Sequence, residues 1–118
     1  VSNTGLSNTK VFALSIMDNT ILAGTFGGGV FKSTNNGNSW TAINNGLNNL
    51  NVRSIKTDGK IIVAGTLNNA FLSQDNGNSW KSITDNIPKN TTKDNLSYLL
   101  AFYIYIYKLF NVLLLIIS

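Results

Sequence analysis

Five aspartates, Asp18, Asp58, Asp75, Asp85 and Asp94, carry every side-chain carboxyl group of the chain, because it contains no Glu. Two carboxyl groups about 5–10 Å apart across a sugar linkage would make a glycosidase. Asp18 and Asp58, however, stand at turns between short extended runs, where Asp is ordinarily a turn former. There is no His, which removes the commonest general base and the commonest metal ligand. There is no Cys, so neither a disulfide nor a thiolate metal site is available. The glycines Gly24, Gly27, Gly28 and Gly29 resemble a phosphate-cradling loop in composition only. No helix signal follows them and no Gly-Lys-Ser/Thr is present, so a strand-to-strand turn is the expected reading. Net charge is +4, but the nine Lys and Arg are scattered singly, whereas nucleic-acid binders cluster them on one face. The residue types therefore point to no catalytic, cofactor-binding or metal site. The chain is expected not to be an enzyme and not to bind nucleic acid.

What the chain does contain is a repeat. Asn3-Thr4-Gly5-Leu6, followed by Val11, corresponds to Asn44-Asn45-Gly46-Leu47, followed by Val52, at an offset of 41. Ala23-Gly24-Thr25 corresponds to Ala64-Gly65-Thr66 at the same offset. One residue is lost at the next turn, and from Phe31 and Phe71 onward the offset is 40. Asn36-Gly37-Asn38-Ser39-Trp40 is identical to Asn76-Gly77-Asn78-Ser79-Trp80. Each copy holds four short runs rich in β-branched and aromatic residues, bounded by Asn, Gly or Asp turns. In the first copy they are Val11–Ile16, Thr20–Thr25, Gly29–Ser33 and Trp40–Ile43. In the second they are Val52–Thr57, Lys60–Thr66, Ala70–Ser73 and Trp80–Ile83. Asp58-Gly59 is a two-residue hairpin signal, with Asp18-Asn19 in the corresponding place. Asn is the outlier of the composition at 19 residues, in keeping with many tight turns. A period near 40 with four strands fits a propeller blade.

The segments Ser33–Trp40 and Ser73–Trp80 resemble the Asp-box hairpin, the BNR repeat of sialidase-like β-propellers, whose pattern is Ser-x-Asp-x-Gly-x-Ser/Thr-Trp. Ser73, Asp75, Gly77, Ser79 and Trp80 match it at every defined position. Ser33, Gly37, Ser39 and Trp40 match too, with Asn35 standing where the family has Asp. Asn keeps an acceptor oxygen for the turn but loses charge assistance. The resemblance implies a structural staple: the Asp or Asn accepts backbone N–H groups, Gly supplies positive φ, and Trp lays an apolar surface beneath the turn. It covers residues 1–90, as blades of about 5–45 and 46–86. The group includes sialidases, sortilin-type receptors, xyloglucan-degrading glycosidases and the photosystem II assembly factor family. Ala23 to Ser33 looks most like its secreted bacterial repeat proteins. The sialidase machinery of several Arg, a Tyr/Glu pair and an Asp acid is missing here: Arg53 is the single arginine and no Tyr precedes Tyr98.

A third copy begins at Asp85-Asn86-Ile87-Pro88 and does not continue. Residues 91–118 form a hydrophobic tail instead, in which Leu96 to Ile117 is long enough to cross a bilayer as a helix. Lys108 and Asn111 interrupt the span, and three readings stay open: a membrane anchor, sequence read in a shifted frame of AT-rich DNA, and a helix lying on the exposed blade. The start at Val1 reads as that of a fragment or processed chain.

The expected fold is all-β: two consecutive four-stranded antiparallel blades, a partial propeller, followed by a hydrophobic C-terminal helix. The expected function is a non-catalytic scaffold or binding surface for a protein or glycan, extracellular or envelope-associated. Two alternatives are a glycoside hydrolase fragment with its catalytic residues in other blades, and an assembly factor for a membrane complex. Two blades cannot close a ring, since propellers use about 4–8, so further blades of the same or another chain are expected partners.

Overall fold

A computed structural model describes residues 4–7, 10–66, 69–83 and 116. Within them the chain folds into two four-stranded antiparallel sheets, each a simple meander. The first contains β1 (Val11–Met17), β2 (Thr20–Thr25), β3 (Gly29–Ser33) and β4 (Thr41–Ala42). The second contains β5 (Ser54–Thr57), β6 (Ile62–Gly65), β7 (Ala70–Ser73) and β8 (Lys81–Ser82). The two registers superimpose on the repeat: Ala23 pairs with Phe31 in the first sheet, and Ala64 with Phe71 in the second.

Five strands begin or end differently from the sequence reading: β1 runs one residue further, to Met17, and hydrogen bonds explain the other four. The outer strands shrink from Trp40–Ile43 to Thr41–Ala42 and from Trp80–Ile83 to Lys81–Ser82. Trp40 sends its N–H out of the ladder to the carbonyl of Thr4 (2.8 Å), and Trp80 sends its own to Asn45 (2.9 Å). Thr4 and Asn45 are repeat equivalents. The strand expected from Val52 starts at Ser54, because Val52 donates to Thr25 of the first sheet (2.9 Å). The strand expected over Lys60–Thr66 contracts to Ile62–Gly65. At its far end Thr66 N–H and Oγ1 both turn to Asn69 O.

The turn between β5 and β6 also corrects the expected pairing of Asp58 with Asp18. Asp18-Asn19 is the two-residue tip between Met17 and Thr20, with Asp18 at φ 54°. The matching positive φ in the second copy falls on Gly59, at 93°. Gly59-Lys60 is therefore the equivalent tip. Asp58 precedes it, and its Oδ1 accepts N–H groups from Lys60 (2.8 Å) and Ile61 (2.9 Å). Gly24 lies inside β2, within the strand read as Thr20–Thr25, while Gly27 and Gly28 form the turn to β3.

The sheets stack through one core of Met17, Leu22, Val30, Ile43, Leu47, Val52, Ile55, Ile62, Ala64, Phe71 and Trp80. Gly24 allows the close approach: a Cβ there would lie 2.6 Å from Val52 Cγ1 and 3.1 Å from Ile55 Cδ1. The connection between the sheets, residues 43–53, is pinned along its length. Asn44 accepts from Val30 N–H (2.8 Å) and donates to Gly28 O (3.0 Å), while Leu50 O accepts from Gly27 and Gly29. The expected helix over Leu96 to Ile117 and the tail 91–118 lie outside the described residues, apart from Ile116, which is helical and exposed.

Candidate functional site

The hairpins 33–40 and 73–80 are built alike. Asn36 (φ 62°) and Gly37 (φ 85°) are consecutive left-handed residues, as are Asn76 (φ 61°) and Gly77 (φ 85°). Asn38 N–H donates back to Asn35 O at 3.2 Å, and Asn78 N–H to Asp75 O at 3.1 Å. Positive φ at both central positions is the twist that suits a hairpin, and Asn-Gly is its strongest short sequence signal. That dipeptide, within the five identical residues, foretold the turn geometry. The buried hydroxyls of Ser33 and Ser73 then hold the loop from below. Ser33 Oγ accepts from Gly37 N–H (2.8 Å) and donates to Asn35 Oδ1 (3.0 Å). Ser73 Oγ accepts from Gly77 N–H (2.8 Å) and donates to Asp75 Oδ1 (2.9 Å).

The Asn-for-Asp difference reverses one hydrogen bond. Asn35 Nδ2 donates to Ser39 Oγ at 2.8 Å, whereas Ser79 Oγ donates to Asp75 Oδ2. Both residues accept the following Ser N–H at 2.9 Å. The Ser79 hydroxyl, then the Ser79 N–H and the Ser73 hydroxyl, hold the Asp75 carboxyl below its ordinary value. Asp75 is thus an ionised acceptor with its oxygens turned to its own loop, the arrangement of a turn staple. Asp58 is committed in the same way to Lys60 and Ile61 N–H. Asp85 and Asp94 lie outside the described residues. Among the described residues no group of three or more metal-ligating side chains gathers.

The two tryptophans differ. Trp80 is buried, and its Nε1–H donates to Ile43 O across the sheet interface at 2.7 Å. Trp40 Nε1 is buried with no partner.

A second feature went unread in the sequence. Phe12 is the extra residue of a β-bulge, between Val11 paired to Thr25 and Ala13 paired to Gly24. Bulges re-aim side chains, and here Phe12 meets Phe26 with centroids 5.8 Å apart and rings tilted by 58°. Arg53, the repeat equivalent of Phe12, lays its guanidinium 5.1 Å from the Phe12 ring centre, a cation–π distance. Phe12 is 52 % and Phe26 37 % exposed. Beside them a depression of about 270 Å³ is lined by Phe12, Leu14, Arg53, Ser54 and Lys56. The patch sits at the end of the sheets where the β2–β3 turn meets the 43–53 connection. Its one sequence signal was the coincidence of Phe12 and Arg53 at the same repeat position, which strand periodicity alone does not weigh.

No protein-family model matches the chain, and no curated protein matches it.

Proposed function

We propose that the chain is a non-catalytic β-propeller repeat module, two Asp-box blades that act as a scaffold and as a binding surface for a protein or glycan in an extracellular or cell-envelope setting. The carrying observation is the Phe12–Phe26–Arg53 cluster at the turn end of the sheets. Exposed aromatic faces take up apolar faces such as the C–H side of a sugar ring. The guanidinium beside them offers a fixed fork for carboxylate or hydroxyl groups. The commitment of Asp58 and Asp75 to their own turns supports a scaffold in preference to a hydrolase. The propeller reading itself rests on the repeat, the two meander sheets and the paired hairpins.

Titration of the isotope-labelled full chain with neutral and acidic oligosaccharides, followed by amide shifts, tests this reading. Shifts centred on Phe26, Gly27 and Arg53, lost in Phe26→Ser and Arg53→Ala variants, are expected. Release of free sugar that stops in an Asp18→Asn or Asp58→Asn variant would overturn the non-catalytic reading. Shifts confined to other surfaces would overturn the assignment of the patch.

A further inference from the structure

The chain holds four Asx-Gly pairs: Asn36-Gly37, Asn45-Gly46, Asp58-Gly59 and Asn76-Gly77. A glycine nitrogen can reach the side-chain carbonyl carbon of the residue before it, because no Cβ obstructs the approach. In Asn-Gly the nitrogen attacks Cγ and gives up its proton to water, the Cγ–Nδ2 bond breaks, and ammonia leaves. Water then opens the five-membered imide at either carbonyl, which leaves an aspartyl or an isoaspartyl residue. A glycine N–H already donated to a neighbour has to be released before it can attack.

Three of the four glycine N–H groups are held by a hydroxyl at the start of their turn. Gly37 donates to Ser33 Oγ and Gly77 to Ser73 Oγ, each at 2.8 Å. Gly59 donates to Thr57 Oγ1 at 3.1 Å. Gly46 is the exception: among the described residues no acceptor meets its N–H. The turn explains why. Leu47 N–H closes residues 44–47 by donating to Asn44 O at 2.9 Å, with Gly46 at φ 87°. Asn45 O accepts from Trp80 N–H at 2.9 Å. The Asn45–Gly46 peptide is trans, so the Gly46 N–H points away from Trp80. Both residues are exposed. The Asn45 side chain is tethered only by Nδ2 to Asn78 O at 3.3 Å, long for such a bond.

The glycine of this pair is fixed by packing. A Cβ on Gly46 would run into Trp80 O, as one on its repeat equivalent Gly5 would run into Trp40 O. Ahead of Gly5, however, stands Thr4. The same joint is thus built once with a reactive amide beside the glycine and once without. The geometry points to Asn45 as a site of spontaneous modification, converted by loss of ammonia to an aspartyl and isoaspartyl mixture, while the serine hydroxyls protect Asn36 and Asn76. The isoaspartyl form adds a methylene to the main chain at the residue whose carbonyl takes the Trp80 N–H. Either form removes the amide that reaches Asn78. The change therefore loosens the link between the 43–53 connection and the second hairpin. It is independent of what the Phe12–Arg53 patch binds.

The test incubates the full chain in mildly alkaline buffer and follows the three Asn-Gly pairs by peptide mapping, with a fragmentation that separates aspartyl from isoaspartyl residues. Asn45 is expected to change first, about tenfold faster than Asn36 and Asn76, the scale of one net hydrogen bond. In urea the three rates should converge. Ser33→Ala should raise the Asn36 rate alone, with a slow Asn76 reporting that the fold is intact; Ser73→Ala is the converse. Asn45→Thr, which copies the first repeat, should remove the early change and keep Trp80 amide exchange slow throughout. The purified isoaspartyl product should exchange faster at the Trp80 amide and no faster at Gly77. Equal rates at the three pairs in the folded chain, or earlier change at Asn36 or Asn76, overturn the proposal. So does the same ordering in urea, which would assign it to local sequence, and so does an Asn36 rate unaltered in Ser33→Ala. A Trp80 amide that exchanges as slowly in the product as in the parent overturns the loosening.

Discussion

The two indoles provide an internal control for the value of one buried hydrogen bond. Trp80 Nε1–H donates to Ile43 O at 2.7 Å, and Trp40 Nε1–H has no acceptor. Replacing each Trp in turn by benzothienylalanine substitutes sulfur for N–H and keeps the ring volume. At position 80 the change strands the Ile43 carbonyl within the interface. Loss of one partner from a buried pair costs about 1–3 kcal/mol. For a folded unit of this size that is roughly 4–20 °C in Tm. At position 40 the same change removes an unpaired buried N–H, so the expected effect is near zero or a small gain. Thermal and urea unfolding of the three full-length proteins gives the comparison. Equal losses at the two positions would refute the reasoning, because the penalty would then come from the ring and not from the hydrogen bond. A larger loss at position 40 would refute it more strongly.

Gly24→Ala places a methyl 2.6 Å from Val52 Cγ1, and overpacking of this kind should cost about 1–3 kcal/mol. Urea midpoints check it, and a neutral result would mean that the two sheets separate more easily than their contact implies. Ser73→Ala leaves Gly77 N–H without its acceptor and should speed amide exchange at Gly77 while costing about 1–3 kcal/mol; Ser33→Ala should do the same at Gly37. The Asp75 carboxyl is held below its ordinary value of 3.8. Its contribution to stability is therefore present above that value and is lost as pH falls through the lowered one. Melting temperature should drop more steeply below the ordinary carboxylate range in the parent than in Asp75→Asn, and Asn35→Asp should steepen it further; parallel curves would count against the hydrogen-bonded carboxylate.

The hairpins were legible because their geometry is local. Positive φ at Asn36 and Gly37 and the Ser33 contacts all fall within eight residues, so residue type and spacing carry them. The strand ends were legible only in part. Trp40, Val52 and Trp80 look like strand residues by composition, but their N–H groups bond to Thr4, Thr25 and Asn45. Those acceptors are distant in sequence, and no local pattern names them. The Phe12–Arg53 contact was hidden for the same reason: it needs a bulge in one strand and a strand start in the next.

The contrast between Leu14 and Ile55 bears most directly on how the two sheets hold each other. Leu14 and Ile55 are both large aliphatic residues at the same repeat position, yet one is 66 % and the other 3 % exposed. Residue type cannot produce that difference; the presence of a sheet with a glycine at the right place does. A solvent-facing position of an isolated sheet would tolerate a polar residue, and Leu14 and Ile16 are not polar. Likewise a Trp retained at position 40 without an acceptor for its N–H carries a desolvation cost that the equivalent Trp80 does not. The hairpin fixes its own end of each sheet by itself, whereas the burial of Ile55 depends on Gly24 of the neighbouring sheet. Stability of the two-sheet unit therefore rests on the interface between the sheets as well as on each sheet by itself.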